Sequence, residues 1–281
     1  MRVVTSVAEM QRVCRELRAG DRVLGFVPTM GALHEGHLSL VRRARMECDV
    51  VVASIFVNPL QFGPGEDFGR YPRTFEADCR SLEAEGVKVV FAPEASEMYP
   101  EGAVATVTVP DVGDRLDGAS RPGHFTGVAT VVAKLFHIVG PAKAFFGQKD
   151  AAQVAVLRQM VRDLNFDLEI VTCPIVRDAD GLALSSRNKY LSEVERGQAL
   201  ALHRCLLQIQ EEIAQGERRS KSLVRIGLEV LRAATGVRVD YLAVVDAGTL
   251  RPVEMAEKGC LVAVAAYVGK TRLIDNFLVD K

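Results

Sequence analysis

Several features that mark particular classes of protein are missing from this sequence. No apolar run approaches the roughly 18 to 20 residues that a helix needs to span a bilayer, so we expect no membrane partner. The formal net charge of the 281 residues is only −1. Most nucleic-acid binders carry a strong positive field, so neither DNA nor RNA is expected as the main partner.

Paired cysteines and a dinucleotide fingerprint are also absent. The six cysteines are scattered and form no C-x-x-C pair, which disfavours a zinc ribbon or a thioredoxin-like site. Scattered cysteines are typical of a protein in a reducing compartment, where they serve as small apolar core residues. The amino-terminal segment also lacks the apolar core of a signal peptide. We therefore expect a cytoplasmic protein. No G-x-G-x-x-G follows the first predicted strand, which disfavours a Rossmann dehydrogenase.

Helical and strand-like patterns alternate through the first 175 residues. Continuous apolar runs such as VVVASIFV predict strands covered on both faces. The predicted strands lie at 22–27, 50–57, 87–92, 142–147 and 168–173. Helices are predicted at 6–19, 36–46, 74–86 and 151–164, with a helix or a buried run at 126–140. This order predicts an α/β fold, with a doubly wound parallel-sheet (Rossmann-like) nucleotide-binding domain over residues 1–175.

The pattern changes after about residue 175. Two long helical patterns, at 193–215 and 219–235, precede three strand-like runs at 237–245, 260–268 and 271–279. Gly269-Lys270 fits a tight turn between the last two runs. Helices followed by strands predict a smaller carboxy-terminal α+β domain over residues 176–281.

The sharpest local signal is the segment from Val27 to His37, between a predicted strand and a helix. A helix amino terminus offers free N–H groups and a positive dipole end, which suit phosphate. Gly36 allows close approach of a ligand, and His34 and His37 can point to one side. The alternatives are a turn with two solvated histidines or a shared metal ion. Zinc is disfavoured because the segment reads H-E-G-H and not H-E-x-x-H.

Amide side chains follow the second strand of the predicted sheet. Asn58 and Gln61 can bind hydroxyl and carboxylate groups, although a polar loop cap is the plain alternative. The glycines at 63, 65 and 69 suit a mobile lid, but glycine-rich loops often have no such role.

A lysine and an arginine are the candidate cations. Lys149 follows a strand and opens a helix, where it can stabilise charge on a transferring phosphoryl group. Asp150 is either a helix cap or a ligand contact, and Gln153 lies one turn further along. Ser185, Ser186 and Arg187 form a weaker phosphate-binding set, and Arg121 with His124 is weaker still.

Five segments in order resemble the pantothenate synthetase (pantoate–β-alanine ligase) family of the HxGH nucleotidyltransferases, and the match runs over essentially the whole chain. They are VPTMGALHEGHLSLV, SIFVNPLQFGPGEDFGRYPRT, RPGHFTGV, FFGQKD and DGLALSSRN. Gln148 and Leu184 depart from the family, which often has Glu and Met at those positions.

The resemblance implies that pantoate, β-alanine and ATP give pantothenate, AMP and pyrophosphate through a pantoyl-adenylate, with Mg²⁺. It implies a homodimer whose smaller domain closes over the ATP site. The implied ATP contacts are Met30, Gly31, Ala32, Leu33, His34, Glu35, Gly36, His37, Gly147, Gln148, Lys149, Asp150, Val176, Leu184, Ser185, Ser186 and Arg187. Pantoate would contact Gln61 and Gln153, with Asn58 as a further substrate contact.

Chemical roles follow as hypotheses from the same resemblance. His34, His37, Lys149 and Arg187 would stabilise the charge that develops as pyrophosphate leaves, and His37 matches a residue usually assigned as a proton donor. The ligands of Mg²⁺ are unknown, with Asp78 one candidate. The remaining alternatives are a nucleotidyltransferase that stops at the adenylyl product, a class I aminoacyl-tRNA synthetase fragment and a non-catalytic nucleotide sensor.

Overall fold

Two β-sheets organise residues 1–280, which are the residues that the computed structural model describes. The larger sheet has six parallel strands and the smaller has three antiparallel strands. The larger sheet consists of β1 (Arg2–Val4), β2 (Leu24–Thr29), β3 (Val50–Ile55), β4 (Val89–Phe91), β5 (Lys143–Gly147) and β6 (Glu169–Cys173). The smaller consists of β7 (Val237–Asp246), β8 (Cys260–Val268) and β9 (Thr271–Leu278).

Some of the helices begin where a side chain satisfies free backbone N–H groups. Ser6 accepts a hydrogen bond from the N–H of Glu9, and Ser192 forms a reciprocal capping box with Glu195. The helices are α1 (Val7–Leu17), α2 (Glu35–Glu47), α3 (Phe75–Ala84), α4 (Ala95–Met98), α5 (Asp117–Ser120), α6 (His124–Val139), α7 (Ala151–Asp163), α8 (Glu193–Ala214) and α9 (Ser220–Ala233). The run at 126–140 is therefore helical. Within residues 1–280, no helix combines the length and the apolar character required to cross a bilayer.

The strand order of the larger sheet is β1-β4-β3-β2-β5-β6. The chain first winds from β2 outward to β4 and then returns to the other side of β2 for β5 and β6. This reversal leaves a crevice beyond the carboxyl ends of β2 and β5, where ligands bind in open α/β sheets. The segments after Thr29 and Gly147 both start at that crevice.

Alternating side chains of the central strands enter two different cores. Phe26 and Val52 pack with α1, α6 and α7, whereas Val27 and Ala53 pack with α2 and α3. Successive side chains of a strand point to opposite faces, so continuous apolar runs are the consequence of helices on both faces. The doubly wound α/β prediction is confirmed.

The first predicted strand ends later than the sequence suggested. Pro28 and Thr29, which lie beyond the predicted strand at 22–27, pair with Ser54 and Ile55 of β3. On its other side β2 pairs with β5 only at Gly25 and Phe26. Beyond Phe26 the strand is therefore paired on one side, which is where a sheet tolerates proline.

The smaller sheet lies between helices and the larger domain. Val262 and Val264 of β8 pack into a core with Leu202 and Leu206 of α8. Leu261 and Ala263, which point the other way, belong to the core of the larger domain. Gly269-Lys270 forms the predicted turn between β8 and β9, and Lys281, the last residue of the predicted smaller domain, lies outside the described residues.

Candidate active site

The loop between β2 and α2 has a fixed backbone at the mouth of the crevice. Gly31 and Ala32 have positive φ angles of 80° and 50°, which turn the chain sharply after the strand. The carboxylate of Asp78 accepts hydrogen bonds from the N–H groups of Ala32 and Leu33, both at 2.9 Å. Thr74 donates to the same carboxylate at 3.1 Å. Both oxygens of buried Asp78 are thus engaged, which argues against its predicted role as a Mg²⁺ ligand.

The two histidines of this loop cap α2 and face each other. The N–H of Gly36 donates to Nδ1 of His34 at 3.2 Å, and the N–H of His34 donates to Nδ1 of His37 at 3.3 Å. The ring centroids are 4.1 Å apart. A nitrogen that accepts a hydrogen bond carries no proton, so each neutral ring holds its proton on Nε2. Both rings therefore present an Nε2–H donor to a ligand.

The histidine pair is neutral in the free protein. Burial, together with the charge of Lys149, lowers the pKa of His34 to about 4. Burial lowers the pKa of His37 to about 3, with His34 and Lys149 acting in the same direction. The neighbouring side chain of Glu35 is exposed and pairs with Arg42, away from the crevice, so only its backbone is available there.

Asn58 and Gln61 have different surroundings. Asn58 is 1% exposed and donates to Oε1 of Gln61 at 3.1 Å and to the carbonyl of Gly127 at 3.0 Å. Its own oxygen accepts from the hydroxyl of Tyr99 at 2.7 Å. Asn58 therefore orients Gln61, and this burial argues against its predicted role as a direct substrate contact. Gln61 also donates to Sδ of Met30 at 3.0 Å, which places it beside the histidine loop.

Close packing of α6 holds this arrangement. A Cβ atom at Gly127 would collide with the carbonyl group of Leu60. Only glycine allows the helix to approach the turn at Pro59–Gln61 so closely.

The turn after β5 carries the candidate lysine. Nζ of Lys149 lies 3.2 Å from Oδ1 of Asp150, and both residues line the cleft, as does Gln153. Burial opposes ionisation of Asp150, but Lys149 overcomes this effect and lowers the pKa of the carboxyl. Lys149 thus stands as a cation close to both histidines.

Arg187 forms a two-pronged ion pair with the lid segment, which we define as residues 63–73. Nε and Nη2 of Arg187 lie 2.9 Å from the two carboxylate oxygens of Asp67. Ser185 caps the turn that carries Arg187, and buried Ser186 lies 3.2 Å from the hydroxyl of Tyr71. The predicted serine–arginine set is therefore occupied by the lid in this structure.

A second ion pair holds the same segment. Arg121 donates to both carboxylate oxygens of Glu66, at 2.7 and 2.6 Å. Nδ1 of His124 donates to the carbonyl of Gln61 at 2.8 Å, so its Nε2 accepts from Arg121 at 2.9 Å. Burial and the charge of Arg121 lower the pKa of His124 to about 4, consistent with this neutral form.

Segments from both parts of the chain enclose one cleft of about 800 Å³. Its lining includes Arg121, Lys149, Arg187 and, from β9, Arg272. His34, His37 and Gln61 are not part of that lining, although the contacts above connect them to it.

The segment between the two domains reaches the histidine loop. The N–H of Leu184 donates to the carbonyl of Val176 at 3.0 Å, and Cβ of Leu184 lies 3.8 Å from the position that a Cβ at Gly36 would occupy. Leu184 thus lies next to the amino terminus of α2, and its backbone is paired with that of Val176.

Sequence reasoning missed the partners that hold these groups. Glu66, Asp67 and Asn276 bond to candidate site residues but were not singled out from the sequence. For the first two, the available signal was their place in the segment SIFVNPLQFGPGEDFGRYPRT, which resembles the family.

Comparison with known proteins agrees with this geometry. The profile described as Pantoate-beta-alanine ligase matches residues 2–278. The chain belongs to the pantoate-beta-alanine ligase family. Its activity is therefore that of a ligase in pantothenate biosynthesis, as the five motifs led us to expect.

Individual relatives match along their full length. A pantothenate synthetase of Acidobacterium capsulatum is 62% identical, with 100% of this chain and 98% of the relative covered. The crystal structure of pantothenate synthetase from Thermus thermophilus is 50% identical, with a TM-score of 0.95 and 100% of both chains covered. A pantoate-beta-alanine ligase from Francisella tularensis, complexed with beta-gamma ATP and beta-alanine, is 34% identical with a TM-score of 0.80. That match covers 99% of this chain and 97% of the other.

Proposed function

We propose that the chain joins pantoate to β-alanine in two steps, through a pantoyl-adenylate formed with ATP. A carboxylate cannot react directly with an amine because its leaving group is too poor. An oxygen of the pantoate carboxylate attacks the α-phosphorus of ATP, and the bond to pyrophosphate breaks. The amine of β-alanine then attacks the acyl carbon, the bond to AMP breaks, and the amine loses a proton. The observation that carries this proposal is that Lys149, whose charge acts on both His34 and His37, lines the same cleft as Arg187.

The first step needs stabilisation of negative charge on the departing pyrophosphate. Nε2–H groups of His34 and His37 are donors already oriented by the backbone, and they lie at the positive end of α2. Lys149 adds a full charge beside them. Groups that are held in place before the reaction need no reorganisation when charge develops, which is the main source of such catalysis. His37 acts here as a neutral hydrogen-bond donor, because its pKa is about 3.

Arg187, the second cation of the proposed site, has to exchange its partner. Arg187 is paired with Asp67. Burial tends to raise the pKa of the Asp67 carboxyl, but the hydrogen bond and charge of Arg187 hold that pKa below its usual range. Planar guanidinium groups bind carboxylate and phosphate in the same two-pronged way. A triphosphate therefore competes with Asp67 for Arg187, and the lid segment moves or rearranges as ATP binds.

Pantoate has hydroxyl groups and a carboxylate, which suit amide side chains. Gln61 is oriented by Asn58, and Gln153 lines the cleft one helical turn beyond Lys149. We assign both to pantoate, with β-alanine beside Gln61. Neutral amides bind these groups without adding a competing charge.

The second step depends on position more than on charge. A neutral amine is already a nucleophile, so holding it against the acyl carbon supplies most of the rate. The lid segment and the smaller domain exclude water, which would otherwise hydrolyse the adenylate. We propose that the smaller domain, residues 176–281, closes over ATP for this reason.

Mg²⁺ belongs to the proposal as a partner of the nucleotide. Within residues 1–280, no three His, Cys, Asp or Glu side chains converge to hold a metal. Mg²⁺ usually keeps several waters and binds through substrate phosphates with one or two carboxylates. We therefore expect the triphosphate to carry it, and none of the steps above passes through it. We also propose a homodimer located in the cytoplasm.

The adenylation step can be tested alone. Labelled pyrophosphate should exchange into ATP in the presence of pantoate and without β-alanine. Exchange without pantoate would point to another nucleotidyl transfer. No exchange under any condition, while nucleotide still binds, would contradict the adenylate and favour a nucleotide sensor.

A further inference from the structure

A buried asparagine of the smaller domain bonds to the turn that carries Lys149. Asn276 lies on β9, an edge strand of the smaller sheet, and is 3% exposed. Its Nδ2 donates to the carbonyl of Gln148 at 3.0 Å and to the carbonyl of Lys149 at 2.9 Å. Its Oδ1 accepts from Nε2 of Gln148 at 2.9 Å. Both amide protons and the amide oxygen of this side chain are thus engaged with the lysine turn.

The adjacent residue fixes Asn276 itself. Asp275, also 3% exposed, accepts a hydrogen bond from the backbone N–H of Asn276 at 2.8 Å. The same carboxylate forms a two-pronged ion pair with Arg177, at 2.6 and 2.8 Å. Arg177 follows Val176, whose carbonyl accepts from the N–H of Leu184 next to the amino terminus of α2. Two neighbouring residues of β9 therefore connect the lysine turn to the segment that joins the two domains.

We propose that Asn276 is a positioning residue for adenylation, acting through the backbone on either side of Lys149. This inference rests on the role assigned to Lys149 in the proposed function. Side-chain direction at Lys149 depends on the backbone of its turn, and Asn276 bonds to the carbonyls of that turn from the opposite domain. Small displacements of a charged group from its reacting position reduce rate strongly, even when binding persists.

The sharpest variant is Asn276→Asp, because it keeps the shape and reverses the hydrogen bonding. It places a carboxylate oxygen against two carbonyl oxygens, where the amide now donates. We expect the kcat of pantoate-dependent pyrophosphate exchange to fall by about 10- to 100-fold. The KM for ATP should stay within about threefold, because the histidine loop and Arg187 are untouched.

A second variant covers the case in which Asn276→Asp fails to fold. Gln148→Ala removes the contact from the other side and leaves both carbonyl bonds in place. It should lower kcat by less than Asn276→Asp does, again with little change in KM. An unchanged kcat in both folded variants would overturn the proposal.

A double-mutant cycle separates positioning from a general loss of stability. In an enzyme that already carries Lys149→Ala, Asn276→Asp should cost less than about twofold, because the group that it positions is gone. Equal losses in both backgrounds would overturn the proposal and leave the role of Lys149 intact. Full activity of Lys149→Ala alone would instead overturn the assigned role of the lysine, and this inference with it.

Val262→Ala is the matched control. Val262 lies on β8, is 0% exposed and packs in the core of the smaller domain without lining the cleft. It should lower the melting temperature while the exchange rate stays near that of the unchanged protein. If this variant lost exchange as Asn276→Asp does, destabilisation of the smaller domain alone would explain the effect, and the proposal would fail.

Discussion

The two ends of the proposed phosphate site are held in different ways. At the histidine end, backbone N–H groups fix His34 and His37, and buried Asp78 fixes the loop before them. At the arginine end, Arg187 and Arg121 are held by carboxylates of the lid segment. At the histidine end, the oriented rings can bind a ligand without giving up a partner. At the arginine end, the carboxylates of Asp67 and Glu66 already occupy the positions that phosphate oxygens would take. Substitutions at the two ends should therefore have effects of different size and even of opposite sign.

The largest effect is expected between the two ends, at Lys149. Lys149→Ala should lower turnover by about 10² to 10³, by analogy with the loss of one charge-stabilising donor. The melting temperature should barely change, because the ammonium group contacts only Asp150 within this site. Steady-state kinetics and thermal unfolding would test both statements.

Lys143 offers a control at the other end of β5. It is the first residue of that strand, whereas Lys149 lies in the turn after the strand, and Nζ of Lys143 is 2.9 Å from Glu47. Lys143→Ala should keep normal turnover. Equal losses in the two variants would show that removing either lysine acts only through folding or net charge.

At the histidine end, Asp78→Asn is the next largest change. An amide keeps the shape of the carboxylate but presents N–H where a backbone N–H now donates. Hydrogen bonds to a buried charged group are worth about 1.5 to 3 kcal/mol, so we expect both a lower melting temperature and a slower adenylation step. Normal activity and stability would show that the loop holds its shape without this carboxylate.

The pH dependence of stability probes the same end. Histidines in the unfolded chain take up protons as the pH falls through about 6.5. In the folded chain, His34 and His37 stay unprotonated until the pH falls to about 4 and about 3, respectively. Between these values the unfolded state binds more protons, so the stability falls as the pH is lowered. Replacing both rings by glutamine should reduce the drop in melting temperature between pH 7 and pH 5, which thermal unfolding measures.

Exposed His137 on α6 is the control for that experiment. If His137→Gln reduced the drop in melting temperature as much as the double variant does, the loss of any histidine would have the same effect. A double variant at His34 and His37 with the original slope would place the acid sensitivity elsewhere in the chain.

The smallest effect is expected at the arginine end, with Asp67→Asn. This variant removes the charge that competes with the triphosphate for Arg187, so the KM for ATP should fall by a few fold. The expected gain in ATP binding is small because a partly exposed ion pair contributes little free energy. A higher KM would show that Asp67 helps to bind the nucleotide, and would remove the contrast between the two ends.

Local patterns predicted the fold and the groups that face the crevice. Continuous apolar strands, a helix that begins close to the predicted residue 36 and the position of Lys149 after β5 are all encoded by neighbouring residues. The groups that orient them come from far along the chain: Asn58 is 69 residues from its partner Gly127, and Asn276 is 127 residues from Lys149. Such pairings follow from the packing of two sheets, which no single segment specifies.

Leu261 and Ala263 of β8 lie in one core while Val262 and Val264 lie in the other. One strand is therefore shared by both halves of the molecule. A fragment cut at residue 175 would leave the apolar surface beneath that strand open to water, which favours aggregation. For the same reason, the intact chain should melt in a single cooperative transition, so attempts to produce the nucleotide-binding half by itself should retain β7 to β9.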